Sequence, residues 1–166
     1  MAAVTHEVFV NEAVFGLLDA GEIPAHSADW THGFVAPMTE GALIGTGLNT
    51  GRVRVTVDGP HDHAPEAPAD DWEEVVEASV HAPTGRLQVE SLELGPPADD
   101  SAILCPAGPG WYRVRVHARD RALHFDQVSM EPVEDYLIIT WPAPPSEITV
   151  LRTSESIEQT IRTSQQ

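Results

Sequence analysis

Four groups of residues have the types and spacing to do chemistry. "HDH" sets His61 and His63 two residues apart. On a strand that spacing points both imidazoles to one side, where they can share a transition metal. The pair lies in "GPHDHAPEAP", a proline-rich loop, and no glutamate follows at the spacing a His-x-His metal centre uses. No metal and no cofactor are therefore expected. Cys105 with His117 offers a nucleophile and a base. In "AILCPAG", however, a cysteine beside proline in apolar company reads as a small buried hydrophobe. The chain has no Gly-x-Ser-x-Gly elbow, Walker loop, Rossmann fingerprint or Cys-x-x-Cys pair. No catalytic residue is assigned, and the chain is read as a non-enzyme.

The third group is a run of cations. "GPGWYRVRVHARDR" holds four of the nine arginines within nine residues. Alternation along a strand puts Arg113, Arg115, His117, Arg119 and Arg121 on one face with Trp111. Tyr112, Val114, Val116 and Ala118 take the other face and are expected in the core. Cations in a row repel, so a neighbouring strand should carry carboxylates, with Glu73, Glu77 and Glu90 as candidates. Arg52 and Arg54 are placed to extend the ladder sideways. The face reads first as a solvated set of cross-strand ion pairs, and second as a concave anion site.

The fourth group is acid. Asp58 to Glu77 carries eight carboxylates in twenty residues and no arginine. "ADDWEE" sets Trp72 among four of them. An aromatic anchor ringed by acid suits a docking patch for a basic protein, because tryptophan is enriched at interface hot spots and charge steers encounter. Asp70, Asp71, Trp72, Glu73 and Glu74 are the candidate partner-binding residues, with Trp30 as a second anchor. The competing reading is a solubilising loop with Trp72 turned into the core.

The chain that must position these groups has 166 residues, a length expected to form one domain. Twenty-six acidic residues against nine arginines and no lysine give a formal charge of −17. Such a surface repels phosphate backbones and anionic headgroups, which argues against nucleic-acid and membrane partners. One cysteine excludes an intramolecular disulfide and fits a reducing compartment. The first ten residues show no basic start followed by an apolar run, and a cytoplasmic location is expected.

Short alternating stretches between 12 glycines and 14 prolines predict an all-β fold. About eight strands in a two-layer antiparallel sandwich are expected, with little helix. Residues 1–152 form the predicted domain, and 153–166 a loose or frayed tail. "GALIGTGLNTGRVRVTVDG" reads as a hairpin, with arms at 42–46 and 52–58 around "LNTG". "NEAVFGLLDAG" reads as a continuing strand or a short helical turn. "YLIITW" reads as a strand covered on both sides or packed on a neighbour, and "PHDHAPEAPADD" as a mobile loop.

"YRVRVHARDR" followed by "EDYLIITWPAPP" resembles a motif pair of uncharacterised proteins from high-GC bacteria. More broadly, the order of "VFVN", "DWTHGFV", "GALIGTG", "TGRLQVESLEL", "GPGWYRVRV" and "WPAP" resembles the competence protein J family of nuclease inhibitors. The likeness spans about residues 6–145, and the acidic insertion around 58–71 and the arginine ladder depart from it. The resemblance implies a small acidic β-protein that inhibits a basic partner such as a nuclease or toxin. Inhibitor or immunity-type binding is thus the first functional expectation. A cupin-like metal-dependent enzyme using His61 and His63 is the alternative, and a self-associating structural subunit the third.

Overall fold

The structure is a computed structural model that describes residues 3–59, 61–98 and 102–164. Its strands are β1 (Val4–Val10), β2 (Val14–Asp19), β3 (Val35–Pro37), β4 (Ala42–Gly45), β5 (Thr50–Asp58), β6 (Glu74–Ala82), β7 (Leu87–Glu90), β8 (Gly110–Arg119), β9 (Val128–Ser129), β10 (Asp135–Pro142) and β11 (Thr149–Arg152), followed by helix α1 (Glu155–Ser164). The fold is all-β and sandwich-like: two sheets pack on each other, the larger one curled into a half-barrel. The larger sheet runs β1-β5-β10-β8-β6-β11, with β9 beside β5, and the smaller runs β3-β4-β2-β7. Pairing is antiparallel except where β5 meets β10 and β9.

Period-two alternation places the core. Tyr112, Val114, Val116 and Ala118 of β8 are buried between the sheets with Val53, Val55 and Val57 of β5 and Val76, Ala78 and Val80 of β6. Phe15 meets Tyr136 edge-on at 5.3 Å, a favoured aromatic geometry. β10 lies between β5 and β8 and is buried on both faces, which explains its unbroken apolar run: Tyr136 and Ile138 point inward, Ile139 and Trp141 outward.

One local expectation changes, and two segments left open take a definite form. The hairpin across 42–58 does not form: β4 pairs with β2 and β3, whereas β5 pairs with β1 and β10. The glycine turn is real, but it carries the chain from one layer to the other. A Cβ on Gly47 would lie 1.7 Å from the Arg121 carbonyl oxygen, so glycine is what lets the crossing chain pass. "NEAVFGLLDAG" holds a strand, not a helical turn. Glu12 and Ala13 adopt φ of 56° and 62°, and this left-handed turn sends the chain into β2. Residues 155–164 form α1, and Ile157 is buried beneath it.

Glu134 fastens the crossing turn to the core. Its carboxylate accepts the Gly47 N–H at 3.0 Å, the Leu48 N–H and the Tyr136 hydroxyl at 2.6 Å. Burial pushes its pKa up, and these three donors oppose that shift. Each oxygen receives an N–H, so an amide cannot replace the carboxylate without setting a donor against a donor. Glu134→Gln should destabilise the fold by about 1–3 kcal/mol despite its matched shape, read as a lower urea midpoint at pH 7.

Candidate functional site

The basic ladder lies on the outer face of the larger sheet, on β8 between β6 and β10. Glu77 stands directly opposite Arg115, accepts its Nε–H at 2.8 Å, and lies 3.5 Å from Arg113. Asp135 stands opposite Arg119 on the other flank and binds it at 3.1 Å. Asp135 also takes Arg54 at 2.5 Å, so the pairing extends sideways onto β5. Burial alone would push the Asp135 carboxyl up. The bonds from Arg54 and Arg119 outweigh it and hold the pKa below the ordinary carboxylate value. His117, 1% exposed, is pushed down by burial while its Nδ1 bonds the Leu137 carbonyl at 2.9 Å. It therefore interrupts the cations as a neutral ring.

The face is not solvated. Arg113 and Arg115 are 6% and 5% exposed. Main-chain segments lie over them and supply carbonyl acceptors. Arg113 donates to Ser146 O and Glu147 O, at 3.3 and 2.8 Å. Arg115 donates to Glu66 O at 2.7 Å, and Arg152 to Ala69 O and Trp72 O at 2.8 and 2.6 Å. The acidic segment read as a mobile loop is thus a strap moored along its length from Pro65 to Trp72, with Pro60 outside the described residues.

The candidate partner-binding residues divide on this strap. Asp70 and Asp71 are exposed, and Asp71 also bonds Arg119 at 2.7 Å. Glu73 is exposed and accepts the Asp120 N–H at 2.6 Å. Trp72 is half-buried, with the Arg119 guanidinium 4.6 Å from its ring centroid and His117 at 5.5 Å. It thus turns partly inward instead of standing clear as an anchor. Glu74 is displaced altogether: it faces between the sheets, 7% exposed, and pairs with Arg121 at 2.6 Å. Burial pushes its pKa up against the pull of Arg121. Arg121 leaves the ladder as well, because Asp120 at φ 69° turns the chain after β8. Trp30 is 41% exposed on a different segment, over Gly45.

The remaining chemical groups do not assemble. His61 is half-buried with Nε2 4.0 Å from Asp58, and His63 is exposed. Among the described residues no three His, Cys, Asp or Glu side chains are grouped to hold a metal ion. Cys105 is buried in the core, where its Sγ accepts the Leu87 N–H at 2.9 Å and burial pushes the thiol up. His117 belongs to the opposite face of β8. Glu90 is buried in the smaller sheet, away from the ladder, and burial raises its pKa.

Sequence reasoning missed a cleft of about 240 Å³ beneath α1, lined by Glu74, Arg121, Arg152, Phe34, Ile157 and Ile161 among others. The one signal for it was the four-residue spacing of the two isoleucines in a polar tail.

No protein-family model and no curated protein matches the sequence. Among solved structures the chain is similar to a protein named crocagin biosynthetic gene J. The two share 18% identity at a TM-score of 0.47, over 87% of this chain and 100% of that one. No helix among the described residues is long and apolar enough to cross a membrane.

Two outcomes follow from the moorings. Arg115→Ala should lower stability by about 3 kcal/mol, the scale for breaking a buried pair, and limited proteolysis should then cut first within 61–70. Asp135, with its lowered folded-state pKa, contributes fully above the ordinary carboxylate range and loses that contribution as pH falls through the lowered value. Urea midpoints should therefore fall less on acidification for Asp135→Asn than for the wild type.

Proposed function

We propose that this chain is a non-enzymatic binding protein of the inhibitor or immunity type, whose acidic strap neutralises a basic protein partner. One observation carries the reading. Arg115 and Arg152 moor the strap through its backbone carbonyls, and among the described residues only Asp71 of its carboxylates is paired, with Arg119. Asp62, Glu66, Asp70 and Glu73 remain exposed along the strap. The backbone moored from Pro65 to Trp72 holds Glu66 and Asp70 in place, which lowers the ordering cost of association. A field of one sign also speeds encounter with a basic surface. Glu74, paired inside the sandwich, has no part in the surface, and Trp72 serves to seat the strap.

The test reverses charge on the outer carboxylates alone. Asp62, Glu66 and Asp70 are changed together to Lys, leaving Glu73, which holds the Asp120 N–H, and the mooring residues Asp71 and Glu77 intact. Tagged wild type and variant are compared in pull-downs from host lysate with mass-spectrometric identification, followed by titration of the purified partner. A basic protein should bind the wild type, weaken with added salt, and bind the variant about 100-fold less tightly. If no basic protein distinguishes the two baits, the proposal fails.

A further inference from the structure

The cleft under α1 carries a second inference, independent of the strap. Arg121 lines it and is 5% exposed. Its Nη1 donates to Glu74 at 2.6 Å, and its guanidinium carbon lies 4.4 Å from the Phe34 ring centroid. Its Nε–H is buried and has no hydrogen-bond partner among the described residues. A buried donor left unmade is unfavourable, and such groups in folded proteins call for a reason. The Nε side of a guanidinium, with Nη2 beside it, forms the planar fork that fits a carboxylate through two parallel bonds.

The rest of the lining suits an apolar acid. Phe34, Val76, Val150, Ile157 and Ile161 provide hydrocarbon walls. Ser154 also lines the cleft and caps α1, its Oγ accepting the Ile157 N–H at 3.3 Å. Arg121 and Arg152 balance Glu74 and Glu158, so the acidity of the whole chain is not concentrated there. Ile157 is the only fully buried side chain among the described residues of α1.

We propose that this cleft binds a small branched aliphatic carboxylate, its carboxylate on the free edge of Arg121 and its hydrocarbon against Phe34 and the α1 isoleucines. The probe is isovalerate, with isoamyl alcohol as a neutral counterpart, titrated into the full chain by calorimetry and by NMR of the arginine Nε–H signals. Isovalerate should bind saturably and shift the Arg121 Nε–H, and the alcohol should bind about tenfold more weakly. Arg121→Lys keeps the charge but removes the fork, and should weaken isovalerate by about tenfold. Ile161→Trp fills the mouth from the helix side and should abolish binding while thermal unfolding confirms a folded chain. Three results would each overturn the proposal: no saturable binding of isovalerate, equal binding of acid and alcohol, or binding that persists unchanged in Ile161→Trp. None of them bears on the strap, so the two proposals fail separately.

Discussion

The structure depends on burying arginine against the outer face of a sheet. Taking guanidinium groups out of water is costly, and a single ion pair seldom offsets that cost. On the outer face the fold meets the constraint by giving Arg113 and Arg115 several acceptors each. Glu77 serves two arginines on one flank of β8, and Asp135 serves two on the other. Backbone carbonyls from the 65–72 strap and the 146–147 segment take donors the carboxylates leave over. His117, neutral between Arg115 and Arg119, spaces the charge. Remove the covering segments and the arginines return to water. Remove the arginines and the strap has little to hold it, because its apolar side chains are small apart from Trp72 and none is fully buried.

This arrangement explains how a chain so rich in acid can contain a basic stripe. The stripe is internal wiring. Its cations are matched across the sheet and from above, so they do not cancel the charge on the outside of the strap. The same residues that make the larger sheet cohere therefore set the sign of the surface over it. Trp72 shows the division in one side chain: its ring covers Arg119 while its neighbours Asp70 and Glu73 point outward.

Much of this was legible because period-two alternation is a local property. The core face of β8 and the pairing of the ladder with Glu77 follow from it, and the unbroken apolar run of β10 marks a strand covered on both sides. Asp135 was not legible as a partner, since it precedes "YLIITW" and the parallel β5–β10 contact that seats it links residues about eighty positions apart. Turn chemistry at 46–51 announced a reversal without saying which layer would receive the chain. Arg121 was assigned to the ladder by simple alternation, and Glu74 to the docking patch by the company of Asp70, Asp71 and Glu73. The left-handed residue Asp120 ends that alternation, and a non-glycine φ of that sign has no clear mark in the sequence. Main-chain carbonyls as the cover of the ladder have no signature in side-chain types at all.

Mooring also changes what the acidic segment can do physically. A free proline-rich loop of this composition would spread its carboxylates over many conformations, and an opposing surface would have to order the backbone before gaining from it. The contacts along 65–72 remove that freedom in the unbound fold. They use backbone carbonyls and the inward side of Trp72, so most of the acid is left unspent. Arg119–Asp71 is the exception, and at 35% and 63% side-chain exposure this pair is weak and easily exchanged. A competing cation from outside could take Asp71 while Asp135 retains Arg119. The strap is thus rigid where buried arginine holds it and exchangeable at its outer rim.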